Sequence, residues 1–238
     1  MGKFIPRVVP LKAEISRMVE KPEPRRRPEI VPTITAFSSK EYKNQLNKIK
    51  FAKRIHPDFT DGIFAPSRTI NLIQAYWPDD VVIDLHVMYK KPAEHIETMI
   101  SLKPNLVILH AESDGNLSDL FEQLKAVNIR TGLALLPETS VESVEVQIKK
   151  IDYVLVFGGR LGYQGSQLQH ENLDKIKQVK DINPKLEVGW DGGINDANAA
   201  KVIEAGADVL NVGGFIQHAE SPKKAYDKLV QIAVNARN

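Results

Sequence analysis

The chain has 238 residues, a formal net charge of +2 and no cysteine. That size suits one α/β barrel, and the composition excludes a disulfide framework, a thiolate metal site and a cysteine nucleophile. No uncharged apolar stretch is long enough to span a bilayer, and the first residues lack the apolar core and cleavage site of a secretory leader, so the expected compartment is the cytoplasm. Residues 1–29 carry eight Lys or Arg against four Glu. This basic arm is expected to be a solvated extension, with no nucleic-acid or membrane partner, because its positive charges are interleaved with Glu and Pro and no aromatic ring stacks among them.

From residue 30 onward, short apolar runs alternate with amphipathic stretches. IVPTITA (30–36) reads as a strand and KEYKNQLNKIK as a helix capped by Ser39. FAKRIHPD (51–58) is the second strand, and the helical stretch after it, RTINLIQAYW, is short. VVIDLHVM (81–88) is followed by PAEHIETMISL, which Pro92 opens as a first-turn proline. The pattern continues with LVILHAE (106–112) and LSDLFEQLKAV, TGLALLP (131–137) and VESVEVQIKKI, YVLVFGG (153–159) and ENLDKIKQVKDI. It closes with LEVGWDG (186–192) and DANAAKVIEAG, ended by Gly206 as a C-cap, then DVLNVGG (208–214) and SPKKAYDKLVQIAVNA. Near-continuous apolar strands imply a parallel sheet covered by helices. Eight such units over residues 30–238 predict a (β/α)₈ TIM barrel, and no G-x-G-x-x-G follows the first strand to favour an open dinucleotide-binding sheet.

Reactive groups of such a barrel lie at the C-terminal ends of its strands. The second strand ends His56-Pro57-Asp58, and residues two apart in a strand share a face, so both side chains can point into the mouth. His86 lies near the end of the third strand and Asp191 ends the seventh. Singly, each of these reads as an ordinary buried or turn residue. Together, two imidazoles and two carboxylates at one mouth suit a divalent transition metal such as Zn²⁺, Fe²⁺ or Mn²⁺. His110 and Glu112 form another such pair on the fourth strand and read as supporting residues. Gly192-Gly193 and Gly213-Gly214, in the loops after strands seven and eight, allow backbone N–H groups to approach a phosphate. The loop after strand six, Gly158 to Gly165, has the glycines of a mobile lid and an arginine, Arg160, able to meet a phosphate; an inert surface connection reads equally well.

Five segments in preserved order resemble the ribulose-phosphate 3-epimerase family. H-P-D-F-T-D-G-I-F-A-P (56–66) is similar to H-x-D-x-M-D-G-x-F-V-P, and D-L-H-V-M-Y-K-K-P (84–92) to D-x-H-L-M-x-x-x-P. G-L-A-L-L-P-E-T (132–139) is similar to G-L-A-x-x-P-x-T, W-D-G-G-I (190–194) to V-D-G-G-I, and G-A-D-V-L-N-V-G-G (206–214) to G-A-D-x-x-V-x-G-S. The resemblance implies a ribulose-phosphate-binding type of barrel with His56, Asp58, His86 and Asp191 as metal ligands and Asp58 and Asp191 as the acid–base pair. It further implies that Thr33 and Met88 line the site, that the partner is a small phosphorylated sugar, and that the chain self-associates as a homo-oligomer. The expected reaction inverts carbon 3 of a ketose phosphate, D-ribulose 5-phosphate to D-xylulose 5-phosphate, by two-carboxylate proton transfer through a metal-stabilised enediolate. The chain departs from the family at Thr60 and Phe157, where methionines are usual, at Gly214 in place of serine, and throughout the sixth loop. These departures keep open a six-carbon ketose phosphate as substrate, or a barrel that binds without turnover.

Overall fold

All eight expected strands form, run parallel and close on one another: β1 (Glu29–Thr35), β2 (Arg54–Thr60), β3 (Val82–Met88), β4 (Leu106–His110), β5 (Arg130–Leu135), β6 (Tyr153–Phe157), β7 (Glu187–Asp191) and β8 (Val209–Val212). β1 pairs with both β2 and β8, so no sheet edge is left unpaired. The computed structural model describes residues 27–159, 161–163, 165 and 167–236. Most of the expected basic arm therefore lies outside the described residues, and Glu29, its last member, already belongs to β1.

The covering helices are α1 (Ser39–Lys48), α2 (Ile96–Ser101), α3 (Leu117–Ala126), α4 (Glu145–Ile148), α5 (Asp174–Ile182), α6 (Ala199–Glu204), α7 (Gly214–Gln217) and α8 (Pro222–Asn235). The cap of α1 is Ser38 rather than Ser39: Ser38 is extended and its Oγ accepts from Glu41 N at 3.2 Å, while Ser39 is the first helical residue. RTINLIQAYW shrinks to one 3₁₀ turn, Leu72–Gln74, after which Ala75 is extended. The 92–101 segment begins as a 3₁₀ turn at Pro92 before continuing as α2.

Alternation along the strands divides the core in two. Outward residues such as Ile34, Ile55, Val107 and Leu109 pack under the helices, and inward residues fill the barrel. The interior has three storeys. At the N-terminal end, buried Arg54 places Nε 2.8 Å from Asp84 and Nη1 2.7 Å from Glu29 and 3.0 Å from Glu187, which Arg130 also contacts at 2.7 Å. Above it lies an apolar storey of Val31, Leu106, Ile108, Ala134, Tyr153, Leu155 and Val209. The third storey, at the C-terminal ends, holds His56, Asp58, His86, His110, Asp191 and Asn211.

Candidate metal centre and substrate cavity

Strand register brings the third storey together. Thr33 stands opposite His56 and Thr35 opposite Asp58 between β1 and β2, and Asp58 stands opposite His86 between β2 and β3. From the far side of the barrel, Asp191 is level with Phe157 on β6 and Asn211 on β8. One ligand atom from each of His56, Asp58, His86 and Asp191 lies within 4.8 Å of the other three. His86 Nδ1 is 2.9 Å from Asp58 Oδ1 and 3.9 Å from Asp191 Oδ2; His56 Nε2 is 3.4 Å and 3.9 Å from the same two oxygens.

These residues fit a divalent cation. Both imidazoles are fully buried, and neither ring nitrogen of His56 has a hydrogen-bond partner. A buried, unsatisfied nitrogen pair carries a desolvation cost that a cation would offset. Ligand atoms about 2.1 Å from one ion stand at most roughly 4.2 Å apart, so small side-chain movements close the cluster on a metal. Burial lowers the pKa of His56, which keeps its lone pairs free. The two carboxylates are driven apart. Burial alone would raise Asp58, but the two imidazoles beside it outweigh burial and hold its carboxyl well below the usual range. Burial, and then the Asp58 charge, push Asp191 well above it, with the Gly192 N–H only partly opposing. Asp58 is further fixed by Thr35, whose Oγ1 donates to Oδ2 at 2.7 Å.

The four side chains sit against a cavity of about 220 Å³ at the barrel mouth. Asp58 and Asp191 line it, as do Thr33 and Met88; the imidazoles lie behind the carboxylates. Gly192, Gly193, Gly213 and Gly214 line it as well. Gly192 is needed there for a second reason: its φ is +119°, and a Cβ would come 2.3 Å from Gly159 N, so the sixth loop packs directly on the seventh. Arg160 lies outside the described residues. Tyr163, from the same loop, reaches the cavity and tilts against Phe37 with ring centroids 6.4 Å apart.

Thr35 and Asn211 were not singled out in the sequence, while His110 was expected as a supporting residue and Phe157 as a departure from the family's methionine. Thr35 shares a face with Thr33, and that two-residue spacing was the available signal. His110 proves to touch the cluster: its Nε2 is 2.9 Å from His86 Nε2, it is fully buried, and burial pulls its pKa down to about 4. Asn211, polar where the G-A-D motif has valine, lies in the cavity wall, and its Nδ2 donates to Tyr153 Oη at 3.2 Å. Phe157, in place of a methionine, sets its ring 6.2 Å from His86 and 5.9 Å from His110.

Among solved structures, the barrel superposes on 3-hexulose-6-phosphate synthase from Salmonella typhimurium with a TM-score of 0.66 at 14% identity, covering 87% of this chain and 99% of that one. KGPDC from Streptococcus mutans gives 0.67 at 11% identity, covering 87% and 98%. These likenesses establish the fold. Among the described residues no helix is long and apolar enough to cross a membrane. In sequence, the chain is 29% identical over 210 residues to the ribulose-phosphate 3-epimerase of Bacillus subtilis (strain 168), covering 84% of this chain and 97% of that protein. It is 29% identical over 209 residues to the chloroplastic ribulose-5-phosphate-3-epimerase of Arabidopsis thaliana, covering 82% and 74%. The profile of the Ribulose-phosphate 3 epimerase family matches residues 29–217, from the first residue of β1 to the last of α7, and the chain belongs to that family of isomerases.

Proposed function

We propose that this protein is a metal-dependent epimerase of pentose phosphates that interconverts D-ribulose 5-phosphate and D-xylulose 5-phosphate at carbon 3. The observation that carries the reading is the set of two imidazoles and two carboxylates within 4.8 Å, three of them buried and Asp191 at the edge of a small cavity that glycines also line. His56, Asp58, His86 and Asp191 would hold the cation, which would supply positive charge to offset the negative charge that develops as the carbon 3 proton leaves. Asp58 and Asp191 come from strands three places apart around the ring and serve as base and acid, exchanging roles with the direction of reaction. In the metal-free protein their pKa values are displaced in opposite directions, Asp58 down and Asp191 up. Thr35 holds Asp58 in place through Oδ2. Thr33 and Met88 border the sugar, Gly192, Gly193, Gly213 and Gly214 receive the phosphate, and Arg160 is assigned to the phosphate from the sixth loop. A homo-oligomer and a cytoplasmic location complete the proposal, with residues 1–29 as an extension outside the 30–238 barrel.

Loss of deuterium from carbon 3 tests it. Metal-loaded protein incubated with D-[3-²H]ribulose 5-phosphate is expected to release the label and form D-xylulose 5-phosphate, and Asp58→Asn is expected to release none. Exchange only with a six-carbon ketose phosphate would move the substrate assignment and keep the chemistry. No exchange with either, in protein that binds metal, would refute the epimerase reading.

A further inference from the structure

The fourth strand supplies a third buried imidazole, which the reaction as proposed does not use. Glu112 is anchored first: Oε1 accepts from Leu136 N at 3.0 Å and from Thr139 Oγ1. The loop bearing these donors is itself pinned by Lys175, whose Nζ donates to the carbonyls of Leu136, Pro137 and Thr139 at 2.8, 2.7 and 2.8 Å. The other carboxylate oxygen, Oε2, stands 3.3 Å from His110 Nδ1. An ionised carboxylate only accepts, so His110 Nδ1 carries the hydrogen and Nε2 of the neutral ring is an acceptor. That acceptor lies 2.9 Å from His86 Nε2, so the hydrogen between the two rings belongs to His86. With Nε2 of His86 committed as a donor, Nδ1 is the nitrogen left to face the cation site, 2.9 Å from Asp58 Oδ1 and 3.9 Å from Asp191 Oδ2, and a cation seated there takes the place of any hydrogen shared between Nδ1 and Asp58.

We propose that His110, oriented by Glu112, is a positioning residue that locks His86 in the Nε2–H tautomer and so presents Nδ1 to the cation site. The relay runs from the 136–139 loop through Glu112 and His110 to His86, and every member is tied before the metal arrives. A ligand imidazole commonly donates its second N–H to a carboxylate, a backbone carbonyl or water. Here a neutral imidazole is the acceptor, and its own tautomer is set one step further out. The two rings lie 5.0 Å apart with an interplanar angle of 27°, so His86 is also held against rotation.

The inference rests on the proposed cation site, and two measurements on the full chain separate their failures. In a competition titration with a chelating dye, His110→Phe, which fills the volume but accepts nothing, is expected to weaken Zn²⁺ binding about 10- to 100-fold, while His110→Gln stays within about threefold of wild type because its oxygen accepts from His86 and its amide donates to Glu112. Wild-type affinity in His110→Phe would overturn the role and leave the cation site standing. An equal loss in both variants would also overturn it, since packing rather than hydrogen bonding would then be responsible. Wild-type protein that takes up no Zn²⁺ would remove the site and the role together. In the Zn²⁺-loaded protein, ring ¹⁵N shifts are expected to report His86 protonated at Nε2 and His110 at Nδ1. The opposite tautomer at either ring would overturn the relay even in a variant series that fails to fold.

Discussion

Asp191→Asn is expected to raise the stability of the metal-free protein while removing its capacity to be stabilised by metal. The ligand oxygens of Asp58 and Asp191 lie no more than 4.8 Å apart in a buried site. Two unit charges at that separation repel by roughly 3 kcal/mol at an effective dielectric constant near 20. Burial already disfavours the charged form of Asp191, the Asp58 charge adds to it, and the protein avoids both by keeping Asp191 protonated, hence its raised pKa. The sign follows from linkage. An acid whose folded pKa lies above its unfolded value adds stability at low pH, and that contribution is lost as pH rises through the folded pKa. Asparagine mimics the protonated form at every pH, so the advantage of the variant is absent in acid and grows with pH, toward about 1–3 kcal/mol once Asp191 would be ionised. For a chain of this size each kcal/mol moves the melting temperature by about 2–4 °C.

Metal reverses the order. A ligand at a hundred times its dissociation constant stabilises the folded state by about 2.7 kcal/mol, and the variant, lacking one of four donors, receives much less. Melting curves for both proteins, in chelator and in excess Zn²⁺ across several pH values, should therefore cross: the variant above wild type without metal at high pH, and below it with metal. A variant that melts lower in chelator throughout, or that gains as much from Zn²⁺ as wild type, would refute the reasoning, because Asp191 would then be neither strained by Asp58 nor shared with a cation.

Other perturbations reach different storeys of the barrel. Arg54→Met strands buried Asp84 and should cost about 3–5 kcal/mol in urea unfolding, while the Zn²⁺ affinity of the folded protein stays unchanged; a loss below about 1 kcal/mol would contradict a paired Arg54. Gly189→Ala would place a Cβ 1.7 Å from Tyr153 Oη and is expected to destabilise by about 1–3 kcal/mol, with Tyr153→Phe relieving part of the loss in the double variant. Zn²⁺ affinity should fall about tenfold per pH unit below the folded pKa of Asp191, one proton being displaced for each ion bound, because His56 resists protonation and Asp58 is already ionised; a two-proton slope in a titration would show that an imidazole competes as well.

The strands were legible because a parallel barrel buries both faces of each strand, which apolar runs such as LVILH and YVLVF, too short to be helices of the covering layer, match. Helix ends were less so. Two adjacent serines both qualify as the cap of α1, and only the extended backbone at Ser38 decides between them. RTINLIQAYW has helical spacing, yet Asn71 and Gln74 close a reciprocal cap around a single turn and the chain then leaves as extended backbone. In the third storey, the spacing of His56 and Asp58 and the position of Asp191 before two glycines sufficed to bring these residues to one mouth. What spacing could not give is depth. His110 was expected to be a supporting residue, and the β3–β4 register, with His86 opposite Ile108, puts it two residues further along on the same face, where its ring meets that of His86.

Charge separation along the barrel axis explains why the mouth calls for a cation. Both ends of the interior hold buried carboxylates, but they are compensated differently. At the N-terminal end, Asp84 and Glu187 share Arg54, with Arg130 adding a second guanidinium. At the mouth, Asp58 and Asp191 meet neutral donors and imidazoles but no guanidinium or ammonium among the described residues, and His56 and His110 are held neutral by burial. Between the two ends lies the apolar storey of Val31, Leu106, Ile108, Leu155 and Val209. Arg54 is paired within its own layer, and its charge reaches the one above only as a minor pull on the pKa of His56. Two carboxylates left without a fixed positive charge in a dry site must hold a proton or attract an ion. A proton satisfies one of them, which is the state that raises Asp191; a divalent cation satisfies both and also meets one unpartnered nitrogen of His56.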